Sequence, residues 1–510
     1  MDSLRTCLLR SSLILSFFWV VSFSGIAAAI DVISQSEVKT PNFIIMYIDD
    51  LGYADLGPYQ NGKLATPSID KLVNAGQSWT NFYTSASVCS PSRGALLTGN
   101  LPVRTGLYGN HLAVLWPGSE TGMPAEQETL AEALKQHGYT TGMFGKWHLG
   151  DAPAFLPTRH GFDEWLGIPY SNDMDWTVGE ITSTNVNADL SVSHKKWEKA
   201  GPIYRKQLLA PRVEDWNVPL MRSVVNADQS YTDSIIERPA NQALYTQRFT
   251  HESVRFINQS VNDDKPFFLF LSHSMVHVPL FRSPQFVGKS ALGLYGDVLE
   301  EIDWSVGQIM QALEDKQIEN NTYLVFTSDN GPWLTFAPDH AGSAGPLRGG
   351  KGQTYDGGMR VMTFFKGPGI KPGFVSEMGM DTDLFNTVLK LANIPPKSGA
   401  VDSYDLSATL TADAPSPRKF VPFYRNSTLR AFRLGNQKLH FVTNDEFGGP
   451  TTVHEPPILI DLVSDIGETT DLAAAQPQDV ERLKQRAAEF KASIPIAPAI
   501  FDLQKGVQFQ

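Results

Sequence analysis

Asn42-Phe43-Ile44-Ile45-Met46-Tyr47-Ile48-Asp49-Asp50 decides the reading of this 510-residue chain. Seven residues with almost no polar interruption read as a strand buried in a sheet, and the strand ends abruptly in two acids. The arrangement recurs. Tyr139 to Phe144 leads into Lys146-Trp147-His148, Pro266 to Leu271 leads to His273 and His277, and Tyr323 to Thr327 ends in Asp329-Asn330. Helical patterns fall between these strands. Thr66-Pro67 opens a helix with Ile69, Leu72 and Val73 on one face, stopped by Gly76, and Thr129 to His137 forms another, ended by Gly138. Val298, Ile302, Val306, Ile309 and Leu313 mark a long amphipathic helix, and Leu384 to Leu391 a further one. The alternation predicts an α/β fold: a large mixed, mostly parallel sheet flanked by helices. In such sheets a ligand binds outside the carboxyl ends of the strands, so the four polar clusters are expected along one edge.

Hydrophobic residues make up 42% of the chain and charged residues 19%, which suits a globular protein with a sizeable core. A formal net charge of -12 argues against a general nucleic-acid binder but leaves room for a local basic pocket. Arg5 and Arg10, an apolar run from Leu13 to Phe23 and then Ala27-Ala28-Ala29 have the layout of a secretory signal over residues 1–29. That run is shorter than the ~20 residues of a spanning helix, so no stable membrane anchor is expected. The destination read from it is export, to a periplasm or the medium. Residues 30–417 are expected to form the main domain. Residues 418–510, with short alternating strands at Leu429 to Leu434, Lys438 to Val442 and Ile458 to Leu462 and a helix from Val480 to Phe490, read as a smaller α+β subdomain. Asp175 to Tyr245 lacks clear periodicity and reads as an irregular insertion near the active face, with Trp176, Trp197 and Trp216 as candidate sugar contacts beside His454.

Cys7 falls in the export signal, so Cys89 would be the one cysteine of the mature chain and no internal disulfide is possible. A free thiol in an oxidising compartment is a liability unless it is buried or modified. Cys89 opens Cys89-Ser90-Pro91-Ser92-Arg93, with an early proline that suits a helix start, where free N–H groups favour an anion. Asp49, Asp50, Asp329 and Asn330 are hard oxygen ligands that fit Ca2+ or Mg2+ rather than zinc. Lys146, Lys351, Arg93 and His148 supply positive charge for a tetrahedral anion. His277 is the candidate proton donor, and His273 reads as structural. A nucleophilic thiolate would not need four oxygen ligands for a hard cation, so the metal cluster favours a hydroxyl nucleophile.

These residues resemble the type I sulfatases, the formylglycine-dependent arylsulfatases of the alkaline phosphatase superfamily. Cys89-Ser90-Pro91-Ser92-Arg93 with Leu97-Thr98-Gly99 resembles the C-x-P-x-R modification signature, and Gly145-Lys146-Trp147-His148-Leu149-Gly150 the second signature. Ile48-Asp49-Asp50-Leu51-Gly52 and Thr327-Ser328-Asp329-Asn330-Gly331 resemble the two metal loops, and Gly349 to Gly358 the lysine loop. Asp461 to Asp465 with Gly467-Glu468 resembles the family's C-terminal subdomain. The resemblance implies that Cys89 is oxidised by a maturation enzyme to formylglycine, whose hydrate supplies the attacking hydroxyl. It implies Ca2+ held by Asp49, Asp50, Asp329, Asn330 and the modified Cys89. Lys146, Lys351 and Ser171 would bind the sulfate ester, Arg93 and His148 would hold the diol, and His277 with Lys351 would support the departing oxygen. The nearest alternative is a phosphodiester or phosphonate monoester hydrolase of the same superfamily, against which Asn330 beside Asp329 argues. A non-catalytic binder of sulfated glycans is the alternative from another class.

Overall fold

The computed structural model describes residues 39–56, 64–178, 181–182, 201–336, 339–396 and 399–503. The candidate signal, residues 1–29, and Trp197 lie outside them. In chain order the strands are β1 (Asn42–Ile48), β2 (Gln77–Tyr83), β3 (Thr140–Lys146) and β4 (Glu164–Ile168). β5 (Thr177–Val178) and β6 (Ile181–Thr182) form a separate two-stranded sheet. β7 (Leu220–Val225), β8 (Tyr231–Glu237), β9 (Phe267–Ser272), β10 (Thr322–Ser328), β11 (Arg360–Lys366) and β12 (Gly373–Met380) follow.

One ten-stranded sheet carries the order β12-β2-β11-β10-β1-β9-β3-β4-β7-β8. Its centre, β10 through β4, is parallel, and β1 pairs with both β9 and β10. β11 runs antiparallel to both β10 and β2, so β2 points the same way as β1. Every carboxyl end that matters therefore meets one edge. β1 delivers Asp49 and Asp50, β10 delivers Asp329 and Asn330, β3 ends at Lys146, and β9 leads to His273 and His277. β2 leads through a short loop to Cys89, and β11 begins where the lysine loop ends.

β1 shows why the sheet sits at the centre. All seven of its residues are buried. Ile44, Met46 and Ile48 join one core with Phe249, Phe256, Val298 and Ile302, from helices Tyr245–Asn262 and Gly293–Asp315. Phe43, Ile45 and Tyr47 face the other core with Leu96, Leu97, Leu130 and Phe385, from helices Cys89–Thr98, Leu130–Lys135 and Asp383–Leu391. Burying such side chains stabilises by roughly 1.5–3 kcal/mol each. The helix expected over Thr129 to His137 is shorter, Leu130–Lys135, and opens on a capping box in which Thr129 and Glu132 satisfy each other's backbone N–H.

Asp175 to Tyr245 departs from the irregular reading. β7 and β8 form an antiparallel hairpin that extends the main sheet beyond β4. β8 is exposed along nearly its whole length, so it has no apolar face to imprint on the sequence. The C-terminal strands β13 (Phe420–Arg425), β14 (Thr428–Leu434), β15 (Gln437–Asn444) and β16 (Thr451–Asp461) make a four-stranded antiparallel sheet. Helix Pro477–Ser493 packs Val480 and Leu483 against Leu439 and Leu459 of that sheet. Among the described residues no helix is long and apolar enough to cross a membrane.

Candidate active site

Cys89 is the first residue of helix Cys89–Thr98, buried and not in a disulfide. Its Sγ lies 3.4 Å from Lys351 Nζ, which donates to both Asp50 oxygens at 2.7 and 2.9 Å. His277 Nε2 stands 3.7 Å from Asp50 Oδ2 and 3.4 Å from Ser171 Oγ. Lys146 Nζ donates to Ser171 Oγ at 3.1 Å and to Asp49 Oδ2 at 2.6 Å. Arg93 closes the ring: Nε and Nη2 donate to Asp329 Oδ2, and Nη1 donates to the Lys146 carbonyl and to Ser272 Oγ. The residues singled out in the sequence thus come together at the carboxyl edge of the sheet. His148 lies two residues after Lys146, and its Nε2 meets the Leu115 carbonyl at 3.0 Å. His273 is buried on Ser305 Oγ at 3.0 Å, in keeping with a structural role.

Backbone geometry supports this convergence. Asp50 and His148 hold left-handed conformations with φ of 61° and 63°, which non-glycine residues keep only where their surroundings fix them. Gly331, after Asp329-Asn330, donates its N–H to the Gly358 carbonyl, and a Cβ there would fall 1.8 Å from the Gly357 oxygen. No other residue lets the second acidic loop approach the lysine loop this closely.

The electrostatics set buried acids against buried bases. Burial acts to raise the Asp49 carboxyl, but Lys146, His277, Arg93 and Lys351 outweigh it and hold the group well below the usual range. Burial raises Asp50 despite Lys351, and burial with repulsion from Asp49 pushes Asp329 up to about 7. Burial pushes the Cys89 thiol up to about 12 although Lys146 and Lys351 pull the other way. An unmodified Cys89 is therefore a protonated thiol at neutral pH and a poor nucleophile. Burial and then Lys351 bring His277 down to about 3, so its imidazole is neutral.

The donor set fits a hard divalent cation. Asp49 Oδ1 and Asn330 Oδ1 are buried with no hydrogen-bond partner, where buried polar atoms are nearly always paired. Ligand atoms of Asp49, Cys89 and Asp329 lie within 4.8 Å of one another, as do those of Asp50, Cys89 and His277. Oxygen-rich donors of this kind suit Ca2+ or Mg2+.

Some expected contacts do not materialise, and others went unread. Trp176 and Trp216 are buried around Tyr204, so their rings are packing rather than sugar platforms. His454 Nε2 is taken up by Thr443 Oγ1 at 2.8 Å. The sequence gives no warning of Ser272, which fixes Arg93, or of Trp333, whose ring lies 4.7 Å from Lys351 Nζ and 5.3 Å from the His277 ring.

Comparison with known proteins places this geometry. The sulfatase family model matches residues 41–394, and the C-terminal region of aryl-sulfatase matches residues 416–508. Arylsulfatase A of Homo sapiens is 36% identical over 489 residues, covering 90% of each chain. N-acetylgalactosamine-6-sulfatase of Mus musculus is 36% identical over 425 residues, 82% of this chain and 75% of that one. Among solved structures, the sulfatase PsFucS1 from Pseudoalteromonas sp. superposes with a TM-score of 0.75 at 26% identity, covering 90% of this chain and 92% of its own. A phosphonate monoester hydrolase from Silicibacter pomeroyi, 17% identical with a TM-score of 0.58, shares the fold. The chain belongs to the sulfatase family and is a sulfuric ester hydrolase of the arylsulfatase type.

Proposed function

We propose that this exported enzyme cleaves sulfate monoesters with a nucleophile made from Cys89 beside a bound Ca2+. The observation that carries the reading is the buried, disulfide-free Cys89 at a helix start, 3.4 Å from Lys351, beside oxygens of Asp49 and Asn330 that have no hydrogen-bond partner. As formylglycine, Cys89 would supply a hydrated aldehyde, one hydroxyl to attack sulfur and a second to release sulfate. Asp49, Asp50, Asp329 and Asn330 would hold the cation, whose charge would polarise the sulfate oxygens.

The chain's own groups divide the remaining work. Lys146 and Lys351 neutralise sulfate oxygens, with Ser171 bridging Lys146 to His277. Arg93, bonded to Asp329 and to the Lys146 carbonyl, fixes the acidic loop and, four residues along the helix from Cys89, would hold the diol formed there. His277 Nδ1 donates to the Val278 carbonyl at 2.5 Å, leaving Nε2 to serve the departing oxygen. It must first gain a proton, and the anion arriving beside it favours that protonated form. His148 Nε2 faces the Leu115 carbonyl, so Nδ1, which has no partner, carries the free lone pair and suits removal of a proton from the second hydroxyl. The catalytic part is assigned to residues 30–417, with 418–510 bracing the lysine loop and residues 1–29 directing export.

Protein from its native host decides the matter. Mass spectrometry of the Cys89 peptide should give the aldehyde or its hydrate, and kcat/KM for sulfate release should vanish in Cys89→Ala. An unmodified thiol in protein that still releases sulfate would refute the formylglycine mechanism.

A further inference from the structure

The C-terminal sheet carries a pair of neighbouring arginines, Arg425 and Arg430, neither of which bonds a carboxylate among the described residues. Arg425 ends β13 and Arg430 lies on β14, across a tight turn at Asn426-Ser427. Arg430 Nη1 donates to Asn444 Oδ1 at 2.9 Å, and its Nε is buried with no partner. Arg425 lies with its guanidinium 5.6 Å from the Phe447 ring centroid. Among the described residues, no carboxylate bonds to either side chain. Burial, then repulsion from Arg430, pulls Arg425 down to about 10, the direction expected of a cation left without an anion. Carboxylates stand close by in sequence, since Asp445 and Glu446 separate Asn444 from Phe447, but Asp445 Oδ1 meets Arg348 at 3.5 Å rather than either arginine.

The pair sits on the wall of the site just described. Asn444, which holds Arg430, donates to the Gly352 carbonyl at 3.4 Å, one residue beyond Lys351. The Phe447 ring covers Gly352, where a Cβ would fall 1.8 Å from Cδ2. Phe447 in turn meets Trp333 at 5.6 Å, and Trp333 touches both Lys351 and His277. Arg425 also lines a small cavity of about 10 Å³, room for a single water, with Ser85, Ala86 and Val88, the last immediately before Cys89. One aromatic layer thus separates two unpaired guanidinium groups from the groups that would meet the departing oxygen.

We propose that Arg425 and Arg430 form a second anion subsite, which binds an oxyanion on the sugar next to the sulfate ester being cleaved. The substrate class is then a polyanionic saccharide. Guanidinium groups suit this task because their paired N–H groups match carboxylate and sulfate oxygens. The inference rests on the sulfatase reading and deepens it.

The test compares kcat/KM for three disaccharides with the same 6-sulfated galactose at the non-reducing end: a neutral hexose, a uronic acid, or a second sulfated hexose beside it. The wild-type enzyme should prefer one charged partner over the neutral one by about tenfold or more, chiefly through KM, as expected for charge-assisted hydrogen bonds. The favoured arm distinguishes a carboxylate from a second sulfate. Arg425→Gln and Arg430→Gln should bring the ratio close to one, and Arg425→Lys should recover part of it. Because the ratio is internal to each protein, partial loss of folded enzyme does not disturb it. Equal wild-type rates on all three, or an unchanged preference in both glutamine variants, would overturn the subsite. If wild-type protein releases no sulfate from these or from 4-nitrophenyl sulfate, the sulfatase reading fails separately. Calorimetry of the same disaccharides still decides the subsite then: tighter binding of a charged one by wild type alone supports it, and equal affinity in the variants overturns it.

Discussion

Two buried ionic clusters lie on either side of the lysine loop, and they are built in opposite ways. At the sheet edge, Asp49, Asp50 and Asp329 face Arg93, Lys146 and Lys351, and buried oxygens remain unpartnered at Asp49 and Asn330. At the junction with the C-terminal sheet, Asp356 and Glu468 are saturated. Lys438 donates to Asp356 Oδ1, Tyr83 and Arg360 reach Asp356 Oδ2, Lys438 and His440 share Glu468 Oε1, and the Asp356 N–H takes Glu468 Oε2. Burial would raise Asp356 as it raises Asp329, yet Lys438, Arg360 and Arg433 hold Asp356 far below the usual range. The difference teaches what burial alone does not reveal. A saturated cluster serves as a brace, and a cluster with spare acceptors is kept ready for something that arrives later.

The comparison breaks first at Asp329. Asp329→Asn keeps an acceptor for Arg93 but removes the charge that balances it and a hard-cation ligand. We expect kcat/KM to fall by about a thousandfold or more, the scale seen when a group in charge-stabilising machinery is removed, with little loss of melting temperature. A variant that keeps activity would show that the spare acceptors at this edge are not functional. Lys438→Met should do the reverse. It leaves Asp356 and Glu468 without their shared cation, and breaking a buried pair costs about 3–5 kcal/mol. Urea unfolding measures that loss, and a stability within 1 kcal/mol of wild type, on the ~3–5 scale of broken buried pairs, would remove the brace.

How much of this was legible in the sequence follows the same divide. β1, β3, β9 and β10 announce themselves because strands buried on both faces leave unbroken apolar runs, and their polar ends name the site. β2 does not, because its buried Gln77 is satisfied by tertiary hydrogen bonding, with Nε2 donating to the Leu410 carbonyl. β8 leaves no pattern because it buries no face. Trp333, Arg425 and Arg430 were illegible for a different reason. What marks them is which neighbours they have or lack, and a linear string does not record neighbours. The brace at Asp356 is equally silent, since its partners lie 82 and 112 residues away in the chain.

The clusters should also answer pH with opposite signs. Folded Asp329 keeps its proton up to about 7, whereas an unfolded aspartate loses it near 4. Between those values the folded state binds more protons, so stability falls as pH rises through the window. Asp356 runs the other way: its contribution is present above about 4 and is lost as pH falls below it. Asp55 and Asp381, also pushed up to about 7 by burial, add to the first trend but lie outside the cation ligands. Stripping the metal with chelator should therefore destabilise the protein more at pH 7.5 than at pH 5.5, by on the order of 1–2 kcal/mol. Equal chelator effects at the two pH values would mean that the acids at the sheet edge do not hold the cation.

Trp333 gives the smallest expected effect and the finest division, because it belongs to neither cluster yet touches both sides. Its ring lies 4.7 Å from Lys351 Nζ and meets Phe447, the residue lying over Gly352 from the C-terminal side. A cation over an aromatic face is worth about 1 kcal/mol where partly exposed, or about fivefold in rate. Trp333→Leu keeps apolar bulk while removing that face, so kcat for 4-nitrophenyl sulfate should drop about fivefold with the melting temperature nearly unchanged. If KM alone rises, the ring is a platform for the departing group and Lys351 is positioned by Asp50 without it. If kcat alone falls, the ring aims the lysine, and the aromatic layer between sulfate cluster and C-terminal sheet is part of the catalytic geometry rather than its wall.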